Sequence, residues 1–551
     1  MRLWIVPCLS SSLLLACGDK DTETNKNTET DTETDTGEVV DVDPQAACDT
    51  LGLPIRAYDA TSPTGDRRRE LAPDFSIPLR DGTEWTFSEQ WSGCETYIFL
   101  PHWLPISDLD GDSWWTTDVS DLIERSPANV HYFLIPATTN ADDAETYGVL
   151  AQDNVDEAIA GLSDDDAAWW SARLHVLAGE LTDGLLMDIF SSNIGVYGFG
   201  IDREQRIRGL GSPAAVEAYS AQLSNQGYWP WERRLYAATN EPIYFNFEAD
   251  RQARLDATEA TVVEVFGGDV IDEYEDGTLS LPDAEAMAGF DTLEIDVLME
   301  CPDPESAELG NCGAWDYLAH MYLYDEASKS WLEMGRFITT YHRESRWVLD
   351  ASHALAWLQD GGDRTIRYSW APSWNTQPTG VTLQVRLSNQ GKGVAPREII
   401  PLFTGGSFSS TYNDREPVTA EIPVNAQKVE LVSIITGHGM ETSNCAEFCP
   451  HSHHFTVGAY EWEHTYDEAS TETGCEDDVV NGTVPNQGGT WWFGRGGWCP
   501  GRKVDPFVID VTEHVTAGAV SEVSYAGRLN GATPPDGSGN IVLSSWLVIS
   551  Y

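Results

Sequence analysis

The sequence predicts a multidomain protein in which an N-terminal α/β domain precedes two all-β antiparallel sandwiches packed side by side. The chain has 551 residues, enough for roughly three domains of ~150 residues. Residues 48–240 mix helical spacing with short apolar strands, which indicates an α/β domain. From residue 258 onward the pattern changes to short alternating segments bounded by Gly, Pro and Asp. So long a β region with few helical runs predicts two sandwiches rather than one.

The N-terminus has the features of an export signal. Arg2 supplies a positive charge, and Leu3 to Ala16 form an apolar run too short to span a bilayer permanently. The run ends in Leu-Leu-Ala-Cys, typical of a bacterial lipobox, which predicts that residues 1–16 are a lipoprotein signal peptide and Cys17 the lipidated N-terminus. A plain signal peptide with an incidental cysteine is the alternative. We therefore expect an extracytoplasmic envelope lipoprotein, on the outer membrane or cell surface, attached to the membrane through Cys17 only.

An acidic segment follows the signal. Residues 17–47 are dominated by a Thr/Glu/Asp repeat without an aromatic residue, which predicts a disordered linker that its like charges keep extended. The whole chain has 89 acidic and 32 basic residues, a formal charge of −57. A surface with this charge repels nucleic acid and anionic lipid, so we expect neither as a partner.

The α/β domain opens and closes with recognisable strands. Ala72 to Phe75, followed by the apolar strand Tyr97 to Leu100, resembles the start of a thioredoxin-like domain. Tyr197 to Asp202 and Ile207 to Gly209 resemble the closing hairpin of that fold. Between them, apolar residues recur at roughly helical spacing. These are Ala158, Leu162, Ala167, Trp170 and Leu174.

The redox motif of that fold is missing from the sequence. Where a thioredoxin-like domain has its cysteine pair, this chain has Leu104 and Ser107. Redox catalysis needs a low-pKa thiolate with a partner thiol. We therefore predict a thioredoxin-like scaffold without oxidoreductase activity.

The β region shows period-two alternation. Leu293, Ile295, Val297 and Met299 alternate with more polar neighbours, and Leu383 to Leu387 repeat the pattern. Such alternation predicts half-buried antiparallel strands. We place the two sandwiches at residues 258–392 and 396–551.

The chain contains ten cysteines. Cys8 lies in the signal and Cys17 is the predicted lipid site, which leaves eight. An even number in an exported chain predicts four disulfides. Cys94 precedes the strand at Tyr97 and is expected to pair with Cys48. The other six are Cys301, Cys312, Cys445, Cys449, Cys475 and Cys499.

Three segments of the β region carry residues suited to chemistry. A disulfide across Cys301–Cys312 would fix the chain just before Asp316. The sequence CAEFC would form a stapled turn with Glu447 at its apex. Arg495 lies among aromatic residues on a glycine-rich loop, GGTWWFGRGGWCPG.

Together these residues would form a polar site floored by exposed tryptophans. Hydrolysis needs a carboxylate to orient or deprotonate water and a proton source for the leaving nitrogen. Arg495 could donate to a developing oxyanion. The alternative is that the carboxylates beside the disulfides have only a structural role and that the tryptophans are buried in hydrophobic cores.

The same three segments resemble the peptide-N-glycosidase F family. The string CGAWDYLAHMYLYDEASKSWLEMGRFITTY is similar to the family's Cys-acid-Trp-Asp motif and its GRFITPY strand, NCAEFCPHSHHF to its CAEWC turn, and GGTWWFGRGGWCPG to its Arg-x-x-Trp-Cys-Pro-Gly loop. The resemblance covers about residues 258 to 551. It implies two eight-stranded jelly rolls with the active site along their interface, and the pairs Cys301–Cys312, Cys445–Cys449 and Cys475–Cys499.

The resemblance also implies a reaction and its residues. The family hydrolyses the amide between asparagine and the first GlcNAc, which converts Asn to Asp and releases a glycosylamine. Asp316 matches the catalytic aspartate, and Glu447 the glutamate that works with it through water. Arg495, Trp498 and Trp374 match substrate-contacting residues. No metal or cofactor is implied, and the expected partners are N-glycosylated proteins or glycopeptides bound by a monomer.

Two positions depart from the family pattern. The residue after the catalytic aspartate is Tyr317 rather than arginine, and Pro372 replaces a second glutamate two residues before Trp374. These changes put recognition of the innermost sugar in doubt more than the basic chemistry. Tyr317 and His438 are kept as further candidates for substrate contact.

Two other functions remain open on the sequence alone. A glycan-binding surface lipoprotein that has lost catalysis would keep the fold and not the turnover. A copper or zinc site like that of jelly-roll monooxygenases would use the histidines near the CAEFC turn. Oxidised cysteines cannot act as thiolate ligands, which argues against the metal reading. The crowded histidines are His438, His451, His453 and His454.

Overall fold

The computed structural model describes residues 44–102, 119–216, 234–313, 315–375 and 377–551, without the side chain of Asn193. The predicted signal peptide, the lipidation site Cys17 and the acidic linker up to Asp43 lie outside the described residues. Leu104 and Ser107, at the expected redox positions, also lie outside them. The first described helix begins at Ala46, so the predicted linker extends too far.

A mixed five-stranded sheet organises the α/β domain. Its strand order is β5-β4-β3-β6-β7, in which β3, β4 and β5 run parallel and β6 and β7 form an antiparallel hairpin. All residues of β3 and β4 are buried, as expected for central parallel strands covered on both faces. A separate hairpin pairs β1 with β2. The strands are β1 (Ser76–Pro78), β2 (Glu84–Thr86), β3 (Thr96–His102), β4 (Val130–Pro136), β5 (Leu174–Val176), β6 (Phe199–Ile201) and β7 (Ile207–Gly209).

Helices cover this sheet and lead out of the domain. The helical spacing from Ala158 to Leu174 is confirmed in part: the segment forms two helices separated at Gly161, with Ser163 capping the second and Leu174 in a strand. The break arises because the Ser163 hydroxyl accepts from the Asp166 N–H and starts a new helix. The helices are α1 (Ala46–Leu51), α2 (Phe87–Gln90), α3 (Val119–Arg125), α4 (Ala141–Ala160), α5 (Asp164–Ser171), α6 (Leu185–Ser191) and α7 (Asn240–Ala257), with 3₁₀ helices at Asn193–Gly195 and Leu235–Thr239.

The first sandwich follows α7 directly. One sheet has the order β13-β10-β15-β8 and the other β12-β11-β14-β9, with every neighbouring pair antiparallel. Its strands are β8 (Thr261–Ile271), β9 (Tyr274–Asp283), β10 (Thr292–Glu300), β11 (Leu318–Asp325), β12 (Ser330–Ile338), β13 (Ser345–Asp350), β14 (Gly361–Ser369) and β15 (Thr379–Ser388). Short helices are α8 (Ala284–Met287), α9 (Leu355–Leu358) and a 3₁₀ turn at Ser352–Ala354.

The second sandwich repeats this plan. Its sheets have the orders β16-β23-β18-β21 and β17-β22-β19-β20, again antiparallel. The strands are β16 (Pro396–Ser407), β17 (Val418–Glu421), β18 (Lys428–His438), β19 (His451–Val457), β20 (Tyr460–Thr465), β21 (Phe507–Asp510), β22 (Val520–Leu529) and β23 (Asn540–Ser550). The 3₁₀ turns are Asp467–Ser470, Asp477–Asn481 and Thr512–His514.

Strand β10 departs from the half-buried pattern that the sequence predicts. Leu293, Ile295 and Val297 pack into the sandwich core, but the alternating Glu294 and Asp296 are buried as well. The reason is that arginines cover the outer face of the strand. Arg254 of α7 bonds Glu294 at 2.7 Å, and Arg346 of β13 bonds Asp296 at 2.8 Å. Buried carboxylates of this kind are tolerated because each is paired.

The α/β domain and the second sandwich share one hydrophobic core. Trp491 and Trp492, from the loop before Arg495, are fully buried in the same cluster as Leu235 and Tyr244 of the α/β domain. The two sandwiches meet across a smaller apolar cluster that includes Ile338, Ile434 and Trp498. Among the described residues, no helix combines the length and the apolar character needed to cross a membrane.

Candidate active site

Asp316 is held between a disulfide loop and the start of β11. The Cys301–Cys312 disulfide closes the loop that precedes it. The Thr339 hydroxyl accepts from the Tyr317 N–H at 2.8 Å and donates to the Trp315 carbonyl at 2.6 Å. Because Thr339 bonds the residues on both sides of Asp316, the carboxylate has a fixed position at the end of the first sandwich.

Glu447 comes from the second sandwich. It lies in the turn closed by the Cys445–Cys449 disulfide, where the Cys449 N–H donates to the Cys445 carbonyl at 2.7 Å. The Glu447 N–H donates to the Gly439 carbonyl at 3.1 Å, and its own carbonyl accepts from Gly496 at 2.7 Å. The backbone on both sides of this carboxylate is therefore fixed as well.

Arg495 brings the two carboxylates together. Its side chain is 1% exposed, and it lies 3.5 Å from Asp316 Oδ2 and 3.3 Å from Glu447 Oε1. The guanidinium carbon lies 5.0 Å from the Phe448 ring centroid and 4.8 Å from that of Trp498. Such cation–π contacts stabilise an arginine that has little access to water.

Two carboxylates share this one guanidinium, and their pKa values reflect it. Burial raises the pKa of Asp316, and the nearby Arg495 charge only partly opposes this. Burial also raises the pKa of Glu447, and the Asp316 charge adds to the effect while Arg495 opposes it. A carboxylate with a raised pKa is a better general base near neutral pH. This combination of burial and a specific charge partner is typical of a functional site.

Tyr341 is a site residue that the sequence reasoning did not single out. Its hydroxyl accepts from Arg495 Nη2 at 3.5 Å and is close enough to the Asp316 carboxylate to lower the pKa of that group. Burial and the charge of Asp316 raise the pKa of Tyr341, so the phenol stays protonated and can donate. The only signal for it in the sequence was its position at the end of the GRFITTY strand.

The expectation of a floor of exposed tryptophans is wrong for the arginine loop. Trp491, Trp492 and Trp498 are all buried. Trp498 Nε1 donates to the Gly437 carbonyl at 2.8 Å, and its ring stacks on His438 with centroids 5.4 Å apart. These rings are buried because the loop packs into two cores, one shared with the α/β domain and one between the sandwiches.

Exposed aromatic surface lies instead beside Asp316. Trp374 is 67% exposed, and its ring meets that of Tyr317 edge-on with centroids 5.6 Å apart. Trp315, next to Asp316, is also exposed. Pro372 is half-buried on the same turn as Trp374. Aromatic faces that are free of packing suit contact with the apolar faces of a sugar.

Among the described residues, His438 stacks on the ring of Trp498, which contacts Arg495. Its Nε2 lies 2.9 Å from the Thr436 hydroxyl, and burial together with the Arg336 charge lowers its pKa to about 3. His438 is therefore neutral at neutral pH. Of the neighbouring histidines, His451 and His453 bond each other at 2.8 Å inside the second sandwich.

The four predicted disulfides are confirmed. They pair Cys48 with Cys94, Cys301 with Cys312, Cys445 with Cys449 and Cys475 with Cys499. Cys301, Cys312 and Glu344 are close enough together to suggest a metal site. Their sulfurs are already joined to each other and are not thiolates, so these residues do not fit a metal ion.

Comparisons with known proteins identify similar sequences. Residues 408–548 match the family model described as peptide-N-glycosidase F, C terminal. The peptide-N(4)-(N-acetyl-beta-D-glucosaminyl)asparagine amidase F of Elizabethkingia miricola is 22% identical over 281 residues, which are 47% of this chain and 73% of that protein.

Some solved structures align with about half of this chain. A crystal structure of a peptide-N(4)-(N-acetyl-beta-D-glucosaminyl)asparagine amidase aligns with 53% of this chain and 96% of its own, at a TM-score of 0.44 and 18% identity. PNGase F, a glycosylasparaginase from Flavobacterium meningosepticum, aligns over the same shares at a TM-score of 0.42 and 18% identity. Residues 408–548 of this chain are therefore similar to the C-terminal part of the peptide-N-glycosidase F family, and the chain is similar to one curated asparagine amidase.

Proposed function

We propose that this protein is an exported peptide-N-glycosidase, which hydrolyses the amide between asparagine and the first GlcNAc of N-glycoproteins. The observation that carries the proposal is the contact of Asp316 and Glu447, from two different sandwiches, with the buried guanidinium of Arg495. The similarity to an asparagine amidase supports it. The substrates are N-glycosylated proteins or glycopeptides.

In this mechanism the two carboxylates activate water and the arginine stabilises charge. Asp316, with Glu447, orients a water molecule and takes its proton. The water oxygen bonds to the amide carbon, the C–N bond breaks, and the nitrogen leaves as a glycosylamine that carries the proton. Arg495 Nη2 makes contacts of 3.3 to 3.5 Å to its neighbours, long enough for it to turn toward the developing oxyanion.

Trp374 and Tyr317 provide the sugar contact in this proposal. Tyr317 follows Asp316 in the chain, and the largely exposed Trp374 contacts the ring of Tyr317. Tyr317 offers a flat surface where the family has a charge, and Pro372 offers no side-chain acceptor to the innermost sugar. Trp498 and His438 act by supporting Arg495 rather than by touching the glycan, because both are packed against each other.

The remaining parts of the proposal concern location and architecture. The protein is a monomer, anchored to the bacterial envelope through a lipid on Cys17, and its sandwiches are jelly rolls. The N-terminal domain is a thioredoxin-like scaffold without redox activity. The order of its sheet supports this, because the three parallel strands β5, β4 and β3 are followed in the sheet by the antiparallel hairpin of β6 and β7.

Mass spectrometry of a denatured N-glycoprotein incubated in heavy-oxygen water tests the activity. Hydrolysis converts the glycosylated Asn to Asp carrying one heavy oxygen and releases free glycan. A glycan-binding protein without catalysis would retain the glycoprotein and leave the Asn intact. The matched control is the Asp316→Asn variant, which should bind and not convert.

A further inference from the structure

Arg343 lies where the α/β domain and both sandwiches meet. Its Nη1 donates to Glu241 Oε1 at 2.7 Å and to the Pro485 carbonyl at 2.8 Å. Its Nη2 donates to the Gly209 carbonyl at 2.9 Å, and its Nε to Glu308 Oε2 at 2.9 Å. One buried guanidinium therefore joins helix α7, strand β7, the disulfide loop before Asp316 and the loop that leads to Arg495.

Glu241 is the acidic partner at this junction. It is fully buried at the start of α7, and its Oε1 also accepts from the Gly211 N–H at 2.9 Å and from Asn486 Nδ2 at 3.0 Å. Its Oε2 accepts no hydrogen bond within the described part of the chain. The charge of Glu241 is thus compensated by Arg343, and loss of Arg343 would leave the buried Glu241 carboxylate without its cation.

The junction is connected to the site by a short segment. The Tyr341 N–H donates to Gln487 Oε1 at 2.9 Å, and the His342 N–H donates to the Gly313 carbonyl at 2.7 Å. The Arg343 N–H donates to the Thr340 hydroxyl at 3.1 Å. Arg343 therefore anchors the segment whose Tyr341 hydroxyl bonds Asp316 and Arg495.

We propose that the α/β domain helps to form the active site. Its Glu241 pairs with Arg343, and this pair positions Tyr341 against Asp316. This inference rests on the proposed amidase function. Glu241 and Arg343 are positioning residues, since neither touches the reacting atoms. The shared core at Trp491 and Trp492 fixes the loop of Arg495 from the same domain.

A buried ion pair elsewhere in the α/β domain provides a matched control. Glu95 is as inaccessible as Glu241, and it accepts from Arg173 at 2.9 and 2.7 Å and contacts His131. All three residues belong to the α/β domain. Glu95→Gln should therefore weaken that domain without disturbing the position of Tyr341.

The experiment compares Glu241→Gln and Glu95→Gln in the full-length protein with a glycopeptide substrate. Displacement of a catalytic group by about 1 Å costs roughly 100-fold, so Glu241→Gln should lower kcat by about 10- to 100-fold with little change in KM. The acid limb of the pH profile should move to higher pH, because the Tyr341 hydrogen bond helps to hold the pKa of Asp316 down. Glu95→Gln should keep both the kcat and the limb of the wild type.

Hydrogen exchange separates this inference from the proposed function. In Glu241→Gln, backbone amides at Gly313 to Tyr317 and at Tyr341 to Arg343 should exchange faster than in wild type and in Glu95→Gln. If the wild type has no amidase activity, the function fails and this comparison alone decides the coupling. Glu308→Gln, which removes the other carboxylate from Arg343, is the second variant should Glu241→Gln not fold. The inference would be overturned if the variant that folds has the same kcat, the same acid limb of the pH profile and the same amide exchange as the wild type.

Discussion

Two buried ion clusters in this protein have opposite charge balance. In the candidate active site, the carboxylates of Asp316 and Glu447 share the guanidinium of Arg495, and burial raises both of their pKa values. In the α/β domain, the single carboxylate of Glu95 contacts both Arg173 and His131. Burial alone would raise the pKa of Glu95, but these two partners outweigh it and lower the pKa to about 2.

The opposite pKa shifts distinguish the candidate active site from an ion cluster that stabilises the fold. A carboxyl whose pKa is lower in the folded state stabilises the fold, and this stability is present above the unfolded pKa of about 4 and lost as the pH falls toward about 2. A carboxyl with a raised pKa does the reverse, because its ionised form costs stability once the pH exceeds the folded pKa. The two ionised carboxylates of the candidate active site therefore lower the stability of the fold, as charged groups in active sites often do.

The largest expected effect is the difference in activity and stability between the Asp316→Asn and Glu95→Gln variants. Loss of the base should reduce deglycosylation by about 10²- to 10⁴-fold, while the melting temperature stays the same or rises because a desolvated charge is removed. Glu95→Gln should keep activity and lose roughly 3 kcal/mol of stability, since Arg173 is left unpaired. Glycan release and thermal unfolding of both variants measure this. Full activity in Asp316→Asn would remove that residue from the mechanism.

Arg495→Gln should reduce both activity and stability. The substitution leaves two carboxylates facing each other without their shared cation and removes the oxyanion donor, which is typically worth about 10²- to 10³-fold in rate. Single-turnover rates on a glycopeptide, with thermal unfolding beside them, measure the two losses. An Arg495→Gln protein that is more stable than wild type would contradict the charge balance described here.

The pH profile should show the raised pKa values directly. Activity requires an ionised base, so kcat/KM should fall as the pH drops through an acid limb above the ordinary carboxyl value of about 4. The limb belongs to the coupled pair rather than to one residue. Because Arg495 lowers both pKa values, Arg495→Gln should move the limb higher still. His438, whose pKa is about 3, should add no limb near neutrality. A limb at or below pH 4 would count against the assignment.

The smallest effect concerns the two kinds of tryptophan. Trp374→Ala should raise KM roughly 5-fold, equivalent to ~1 kcal/mol of sugar contact, and leave stability unchanged because the ring is exposed. Trp498→Ala should instead cost about 3–5 kcal/mol of stability, because its ring is buried between the sandwiches. Kinetics and denaturant unfolding separate the two. Equal losses of stability would show that Trp374 is packed as Trp498 is.

The sequence predicts the disulfides and strands around this site better than its longer-range packing. The disulfide pairings followed from cysteine number, local spacing and the family motifs, and the alternation at Leu293 to Met299 predicted strand β10. Local patterns carry such information because side chains alternate in strands and short loops fix their own ends. The burial of Glu294 and Asp296 could not be predicted, since it depends on arginines from α7 and β13.

The misplaced tryptophans have the same physical origin. A glycine-rich loop with three tryptophans is typical of an exposed binding surface, but Trp491 and Trp492 are buried in a core that includes residues of the α/β domain. Tyr341 was missed because its role depends on Asp316, which is 25 positions earlier in the chain and adjacent only in the fold. Contacts between domains leave no period or spacing in the sequence.

The three disulfides of the sandwiches have a consequence for when the protein becomes active. One closes the loop before Asp316, one encloses Glu447, and the third, Cys475–Cys499, spans the segment that carries Arg495. A chain still in a reducing compartment has none of these links. Asp316, Glu447 and Arg495 would then lie on untethered loops. Under the proposed function, the newly made protein would be inactive until oxidation forms these disulfides.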